Sequence, residues 1–486
     1  MGSKQSKINI MLIGCGPHAK RIYIPLLKRY KHRVNLKCVI DLKEKETDIN
    51  EFLQSSKYDT YFVEEPYMTY DKLHPVVDKK LNEFIKKHDI RGVIIATEPL
   101  THVMYSKWAL KNNLSILLDK PVSTYRDVST KKKLAKKILK DYDDLAKIYK
   151  PKNNISFSLM SQRRFHPAFK KIKSLLEECY KKTNCPVTSI QSFHCDGQWR
   201  MPTEIVEQIY HPYCQGYGKC SHSGYHFFDI VPFLIDTSYS KDKIYNKINA
   251  YSNIVRPLDF LHQINLKDYG KLFGRKLFND HNKYSQERYE KLMKNFGEID
   301  AFTNLEFKRN NRTVTLASIN LAHNGFAQRD WVSAKGKDLY KGNGRVRQET
   351  HIIQQGPLQA VHYHSYQSKE VKVQNKKNLY NVGGEYHLDI YVFRNSKMIG
   401  GKTFEKITIK NLNNQIMENK SRGHQEDARA QGFLEFVEFL EGTRKRKDMT
   451  SDFLTHRMGS LITSLIYRSI VAQYNNKNAK IGIKIK

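Results

Sequence analysis

Three small residues follow the first apolar run of the chain at a spacing typical of nucleotide-binding turns. The segment GCGPHA places Gly14, Gly16 and Ala19 in a G-x-G-x-x-A pattern directly after the strand-like sequence KINIMLI. Gly14 permits a tight turn, Gly16 lets the backbone approach a pyrophosphate, and Ala19 lets the following helix pack on the strand. A glycine turn that merely closes a strand–helix unit is the alternative interpretation. Asp41 ends the next predicted strand, where a carboxylate accepts hydrogen bonds from ribose hydroxyls, and this favours a dinucleotide site.

The choice of dinucleotide is left open by the residues around this acid. Asp41 favours NAD, because a carboxylate repels a 2′-phosphate. Lys43 and Lys45 follow directly and would suit NADP, so the sequence predicts NAD or NADP with a preference for NAD. His18 inside the glycine turn and Thr97 at the end of a later predicted strand are further predicted cofactor contacts.

The segment LLDKPVST places Lys120 between Asp119 and Pro121, just after an apolar run. Hydride transfer from a carbinol needs a base for the hydroxyl proton, and the reverse reaction needs an acid. A lysine at the C-terminal end of a strand, at the nicotinamide edge of a parallel sheet, is well placed for this work. The alternative is a surface lysine in a strand–helix loop.

The elements that must position these residues form two predicted domains. Strand-like and helix-like segments alternate through residues 1–150, which predicts an α/β Rossmann domain with a doubly wound parallel sheet. Residues 151–486 contain alternating strands such as VTSIQSFHCD and EYHLDIYVF, followed by helical sequence. They predict an α+β domain with a large, mostly antiparallel sheet, interrupted by a helical insertion near residues 256–298.

Several longer segments carry one pattern together. They are GCGPHAKRIYIPLL, GVIIATEPLTHVMYSKWALKNNLSILLDKPVST, MSQRRFHPAF, SHSGYHFFDIVPFL, QETHIIQQGPL and THRMGSLITSLIYRSI. Taken together they resemble the Gfo/Idh/MocA family (glucose–fructose oxidoreductase, inositol dehydrogenase and MocA) of NAD(P)-dependent oxidoreductases. The resemblance implies an oxidoreductase acting on a sugar, a cyclitol or a related carbonyl or imine, and a homo-oligomer.

The resemblance also implies roles for individual residues. The Glu-Lys-Pro motif of the family corresponds to Asp119-Lys120-Pro121, so Lys120 is the implied acid–base group and also an implied cofactor contact. His226 corresponds to the family histidine that contacts the reacting hydroxyl or carbonyl. His102 corresponds to a histidine near the nicotinamide, with packing on its loop as the alternative.

Two substrate contacts and one departure from the family follow. Arg164 is a predicted anion contact or a structural arginine of the domain junction, and Asp229 orients His226 or caps local structure. The family aspartate four residues before the histidine is replaced here by His222, which we still count as a candidate catalytic residue. An imidazole does not stabilise a lysinium as a carboxylate does. A non-catalytic nucleotide-binding scaffold or sensor is therefore the rival hypothesis.

Composition limits the other classes of function. The formal net charge of +34 comes from lysines spread along the whole chain, and no basic run is interleaved with stacking aromatics, so we do not expect nucleic-acid binding. Seven scattered cysteines without a CxxC pair predict reduced thiols and no metal site. Neither a transmembrane segment nor a signal peptide is expected, which predicts a soluble, cytoplasmic protein. Gly2 and Ser6 match a myristoylation pattern, or match it by chance, which would add membrane-surface association.

Overall fold

The computed structural model describes residues 7–54, 58–238, 243–333, 344–368, 386–412 and 424–485. Gly2, the predicted acylation site, lies outside these residues. The described residues divide into two compact units, taken from the following ranges. The parallel-sheet unit comes from Met1–Thr124, Ile138–His166 and Ile416–Ser460, and the antiparallel-sheet unit from Tyr125–Lys137, Pro167–Gln415 and Leu461–Lys486. No helix in the described ranges is both long enough and apolar enough to cross a membrane.

The described residues form the following strands and helices. The strands are β1 (Ile8–Ile13), β2 (Val34–Leu42), β3 (Asp59–Val63), β4 (Ile90–Ile95), β5 (Ser115–Leu118), β6 (Phe157–Leu159), β7 (Ser189–Cys195), β8 (Lys247–Val255), β9 (Asp300–Arg309), β10 (Arg312–Ala322), β11 (Val346–Gln355), β12 (Gln359–Ser368), β13 (Tyr386–Arg394), β14 (Phe404–Thr408) and β15 (Ile481–Lys484). The first nine helices are α1 (Pro17–Arg21), α2 (Tyr23–Arg29), α3 (Glu46–Leu53), α4 (Pro75–His88), α5 (His102–Lys111), α6 (Lys132–Tyr149), α7 (Gln162–Phe165), α8 (Pro167–Thr183) and α9 (Pro202–Glu207). The others are α10 (Tyr225–Ile235), α11 (Pro257–Gln263), α12 (Leu266–Phe273), α13 (Arg275–His281), α14 (Gln286–Met293), α15 (Ser396–Ile399), α16 (Ile409–Leu412), α17 (His424–Leu440) and α18 (Arg457–Tyr474).

The parallel-sheet unit is built on the strand order β3-β2-β1-β4-β5-β6, with every described pair of neighbours parallel. Its strands are short apolar runs such as INIMLI and SILL, because a parallel sheet is covered on both faces and buries both sets of side chains. The chain leaves β1 toward β2 on one side and returns to β4 on the other. This reversal of strand order is the topological switch point where open α/β sheets bind their ligands. The predicted Rossmann sheet is confirmed.

A helix from far along the chain completes the core of this unit. Phe436 and Leu440 of α17 belong to the same buried cluster as Ile10 of β1. At Gly92 of β4, a Cβ would lie 2.9 Å from side-chain atoms of both Phe436 and Leu440, so the helix packs directly on the sheet. The domain division at residue 150 predicted from the sequence differs from the observed units for this reason. Apolar side chains of α17 are needed to cover β4, which lies more than 300 residues earlier in the chain.

The antiparallel-sheet unit contains, among its described residues, a nine-stranded sheet in the order β14-β13-β12-β11-β7-β10-β9-β8-β15. All neighbours are antiparallel except β7 and β10, which run parallel in register from Ser189 to Cys195. The predicted large, mostly antiparallel sheet is therefore confirmed. The residues predicted as a helical insertion form α11 to α14, which bury Tyr269, Phe278 and Tyr289 in a cluster shared with Met201 and Ile205.

Candidate functional site

The turn after β1 contains two glycines, and the surroundings of the two differ. Gly14 has φ +92°, and a Cβ there would lie 2.6 Å from the backbone carbon and oxygen of Ala96. Gly16 precedes α1 as its N-cap, and a Cβ on Gly16 would meet nothing within 4 Å. Ala19 is fully buried. The protein itself requires glycine at position 14, whereas Gly16 leaves space open beside the turn.

Asp41, at the end of β2, is joined to this turn. Its Oδ2 accepts a 2.6 Å hydrogen bond from the Cys15 N–H, and its Oδ1 accepts a 2.7 Å bond from the Leu42 N–H. Burial raises the pKa of Asp41 above its ordinary value, although these two hydrogen bonds oppose the rise. The neighbouring Lys43 and Lys45 pair with glutamates of their own segment, over 2.6 and 3.2 Å.

The residues of this turn fit a bound dinucleotide. No acidic residue stands in the first turn of α1 and no side chain caps it, which suits the approach of an anion. Gly16 offers the open approach that a pyrophosphate needs. A carboxylate has about four acceptor positions, so Asp41 keeps capacity for ribose hydroxyls after receiving two backbone N–H groups.

An acidic group lies beside the turn at the end of β5. His18 Nε2 lies 3.4 Å from Oδ2 of Asp119. Burial lowers the pKa of His18 to about 3 against the opposing effect of Asp119. Burial alone would raise the pKa of Asp119, but His18 and Lys120 outweigh it and hold that pKa below its ordinary value. The charge of Arg429, from α17, acts on both His18 and Asp119.

The loops that carry Thr97 and Lys120 are tied together by a histidine. His102 Nδ1 lies 2.7 Å from the Pro121 carbonyl oxygen, and its Nε2 lies 3.1 Å from the carbonyl oxygen of Thr97. Burial lowers the pKa of His102. Lys120 is half-buried, its N–H donates to Oδ1 of Asp119 over 3.0 Å, and the Lys120–Pro121 bond is cis. His102 thus connects the two loops through their backbones.

Arg164 is buried in the parallel-sheet unit, where α7 holds it. Its guanidinium donates to the Thr455 hydroxyl over 2.5 Å and to the Thr455 carbonyl over 3.1 Å. These bonds link α7 to the turn that precedes α18.

The remaining predicted residues belong to the antiparallel-sheet unit. His222 lies in a π-helical turn, Cys220–Gly224, which leads directly into α10. His226 and Asp229 follow in the first turns of α10, and all three side chains are buried. This segment lies close to β10 at Gly224, where a Cβ would lie 2.9 Å from the end of the Leu321 side chain. Single π-helical turns inside helices often occur at functional sites.

A buried ionic cluster around Asp196 accompanies this motif, and sequence reasoning missed it. Lys219 is fully buried, and its Nζ lies 2.5 Å from Oδ2 of Asp196 and 3.0 Å from Nδ1 of His194. Arg345 also donates to Asp196, and His323 Nε2 lies 3.5 Å from it. Burial alone would raise the pKa of Asp196, but Lys219 and Arg345 hold that pKa well below its ordinary value. The cluster therefore keeps an ionised carboxylate surrounded by cations.

Aromatic and imidazole rings surround His222. Ring centroids lie 4.6 Å away for His211, 5.5 Å for Tyr217, 5.8 Å for His323 and 5.9 Å for Tyr213. The His222 and His323 rings are nearly parallel, with an interplanar angle of 22°. Within the described ranges, no three His, Cys, Asp or Glu side chains are arranged to hold a metal ion.

The signal for the missed residues is weak in the sequence. The one indication for Lys219 is that it is the single lysine in the glycine- and serine-containing segment GYGKCSHSG. Asp196, His323 and Arg345 come from the ends or flanks of β7, β10 and β11, and no local spacing relates them. Arg429 lies on a helix whose partner strands are formed far earlier in the chain.

Comparison with known proteins identifies the first domain. Residues 8–141 match the sequence profile of the Gfo/Idh/MocA oxidoreductase family, which is described by its NAD-binding Rossmann fold. The match covers the glycine turn, Asp41 and Lys120. None of the curated protein sequences matches the chain significantly.

Solved structures of other proteins share the fold of the whole chain. An oxidoreductase from Sinorhizobium meliloti has a TM-score of 0.57 at 12% identity, covering 99% of this chain and 100% of that one. An oxidoreductase from Agrobacterium radiobacter, in complex with NAD⁺, L-tartaric acid and magnesium, has a TM-score of 0.55 at 11% identity, covering 99% and 98%. The transcriptional regulator Gal80p from Kluyveromyces lactis has a TM-score of 0.54 at 12% identity, covering 100% and 95%. At these identities the likeness shows the fold alone.

Proposed function

We propose that this chain, whose N-terminal domain belongs to the Gfo/Idh/MocA oxidoreductase family, is an NAD(P)-dependent oxidoreductase acting on a small polar substrate. The observation that carries the proposal is the turn after β1, where Gly16 leaves open space and Asp41 is hydrogen-bonded to the turn itself. Gly14 and Ala19 shape this turn, and the uncapped N-terminus of α1 binds the pyrophosphate. Asp41 binds the adenosine ribose and favours NAD over NADP.

Lys120 is the proposed acid–base group. When bound, the dinucleotide supplies or accepts the hydride at its nicotinamide ring. The Lys120 amine takes the hydroxyl proton of the substrate as it is oxidised, and the ammonium returns that proton in the reverse direction. Asp119 is ionised and holds the backbone N–H of Lys120, which orients the loop. Thr97 and His102 keep this loop next to the one after β4.

His226 shares the acid–base work in this proposal, with Asp229 orienting its ring. His222 replaces the carboxylate that relatives are expected to carry, and Arg164 supports the fold rather than the substrate. The substrate class is a sugar, a cyclitol or a related carbonyl or imine, as the family resemblance implies.

The test begins with fluorescence titrations of purified protein with NADH and NADPH, followed by mass spectrometry of any co-purified ligand. With a substrate in hand, Lys120→Met is expected to lower kcat about 100-fold or more, since a general acid–base group contributes on that scale. The dissociation constant for NADH should change less than threefold. Lys86→Met, an exposed lysine of α4, is the matched control. Failure to bind either dinucleotide, or full turnover by Lys120→Met, contradicts the proposal.

A second candidate function is a nucleotide-binding sensor without turnover. His222 in the motif position of an aspartate favours it, and a protein of similar fold, Gal80p, is a transcriptional regulator. One measurement, hydride transfer from NADH, distinguishes the sensor from the oxidoreductase. A sensor binds NADH with no exchange of hydride, which is measured by following deuterium from 4-deuterated NADH into a mixture of sugars, cyclitols and their ketones.

We also propose a homo-oligomer in the cytoplasm. Large apolar side chains stand exposed on the antiparallel sheet, among them Phe302 on β9, Leu316 on β10 and Phe404 on β14. Exposed apolar groups in this number favour a protein interface. All seven cysteines are free, as expected in a reducing compartment. Light scattering after size exclusion gives the mass, and Leu316→Glu should dissociate an oligomer formed through this face.

A further inference from the structure

One buried arginine of the antiparallel-sheet unit has only neutral partners. Arg200 follows β7 and is 3% exposed. Its guanidinium lies over the Tyr213 ring, 5.3 Å from the centroid, and donates to the Tyr213 hydroxyl over 2.6 Å. It also donates to Oε1 of Gln198. Within the described residues, its Nε has no hydrogen-bond partner.

A second donor beside Arg200 is equally unsatisfied. Gln198 is 2% exposed, and its Oε1 is occupied by Arg200, while its Nε2 has no acceptor in the described part of the chain. The Tyr213 hydroxyl, which accepts from Arg200, also forms a 2.6 Å hydrogen bond with Nδ1 of His323. Two buried donors of one small cluster therefore have no acceptor among the described residues, and a buried unsatisfied donor is destabilising.

The carboxylates near this cluster are already engaged. Asp196 is paired with Lys219 and Arg345. Glu204 receives two hydrogen bonds from Arg329, over 2.6 and 2.8 Å. No carboxylate in the described ranges lies within 4.0 Å of the Arg200 nitrogens. A buried cation without a counter-charge is expensive, so buried charges are normally paired.

We propose that Arg200 and Gln198 bind the carboxylate of a polyhydroxy acid, so that the substrate of this unit is acidic. A guanidinium and an amide N–H together match the two oxygens of a carboxylate. The His323 ring stacks at 5.8 Å on His222, so the carboxylate would be held beside the motif that the proposed function uses. The strongly positive net charge of +34 attracts anions to the protein in general. The identification of this acid as a substrate rests on the proposed function, whereas the anion site itself does not.

Calorimetry with matched acid and neutral ligands tests the site directly. The probes are D-glucuronate against D-glucose, D-gluconate against sorbitol, and L-tartrate against threitol, at equal ionic strength in KCl, with and without saturating NADH. At least one acid is expected to bind tenfold or more tightly than its neutral partner. The inference is overturned if no acid does so, or if Arg312→Gln, at an exposed arginine of β10, abolishes the preference as fully as Arg200→Gln.

Gln198→Glu keeps the test decisive where Arg200→Gln fails to fold. The glutamate would place a permanent carboxylate on Arg200, at the atom that already accepts its hydrogen bond. The melting temperature is expected to rise by about 2–4 °C, while the preference for acids is lost. A lower melting temperature with acid binding retained contradicts the proposal. If an acid binds but NADH does not, the anion site stands and the proposed function falls; if NADH binds and no acid does, only the anion site falls.

Discussion

Two lysines, one in each unit, show opposite ways of placing a charge. Lys120 is half-buried at a strand end, beside Asp119, its neighbour in sequence. Lys219 is fully buried and joined to Asp196, which lies 23 residues earlier on another element. The first arrangement leaves the lysine side chain partly exposed. The second arrangement pairs the lysine charge with a carboxylate inside the protein, where the pair stabilises the fold and sets the local electrostatic field.

The chemical groups around the two lysines also differ. Around the turn after β1, the open groups are backbone N–H donors and the Asp41 carboxylate, both suited to a dinucleotide. Around Lys219 the groups are cations and imidazoles packed about one carboxylate. The turn after β1 thus offers mainly backbone groups, whereas the cluster around Asp196 offers mainly charged side chains.

The largest effect is expected from Asp196→Asn. It leaves Lys219 and Arg345 buried without a counter-charge, which costs about 3–5 kcal/mol of unfolding free energy. Urea denaturation followed by circular dichroism measures it. The matched change in an exposed pair, Asp48→Asn opposite Lys20, should cost less than about 0.5 kcal/mol. If both variants lose the same unfolding free energy, the buried charge pair is no more important for stability than the exposed one. Asp196→Asn combined with Lys219→Met should recover much of the loss.

Substitutions at the two glycines of the turn are expected to affect stability and NADH binding differently. In Gly14→Ala the new Cβ meets the backbone of Ala96 at 2.6 Å with φ at +92°, so the variant should lose about 2–3 kcal/mol of stability and bind NADH poorly. Gly16→Ala has free space for its Cβ, so its melting temperature should not change. Its affinity for NADH should nevertheless fall about tenfold or more, because the pyrophosphate needs that space. NADH affinity unchanged in Gly16→Ala would argue against a pyrophosphate at this turn.

Asp300 predicts a pH dependence that belongs to the antiparallel-sheet unit. Burial raises the pKa of this carboxyl to about 6, against an ordinary value of 3.8. Between about pH 4 and pH 6 the folded protein holds a proton that the unfolded chain releases, so the stability contributed by Asp300 falls as pH rises through this window. Asp300→Asn keeps an acceptor for the His323 and Asn324 N–H groups. Relative to the wild type, it should gain on the order of 1–3 kcal/mol between pH 4 and pH 7, in paired denaturation curves. A difference that does not vary with pH would show that Asp300 titrates normally.

The smallest effect is expected at the contact between β4 and α17. Gly92→Ala brings a Cβ to 2.9 Å from the ends of the Phe436 and Leu440 side chains, which can shift, so the cost should be about 1–2 kcal/mol. Phe436→Leu combined with Gly92→Ala should restore part of the loss, because it vacates the space. An additive double variant in thermal unfolding would mean that α17 does not pack here.

Much of the parallel-sheet unit follows from its sequence. The alternation of apolar strands and amphipathic helices predicts the sheet, and the turn with Gly14, Gly16 and Asp41 is found at the expected strand ends. These features depend on neighbours in sequence, where side-chain period and glycine freedom act locally. The helix predicted after β1 is divided at Ile22 into α1 and α2, and no pattern indicated that division.

Contacts between distant segments could not be derived in this way. Local periodicity indicates that α17 is a helix, but only packing shows that it covers the parallel sheet. The parallel pairing of β7 with β10 inside an antiparallel sheet depends on the register of the whole sheet. That register brings Asp196, Lys219 and His323 together, and so decides which lysine is buried with its charge matched. It also decides that Arg200 has only neutral hydrogen-bond partners among the described residues. A composition with lysines everywhere cannot distinguish these cases, because the free energy of a charge depends on its burial and its partners, and both are set only when the chain folds.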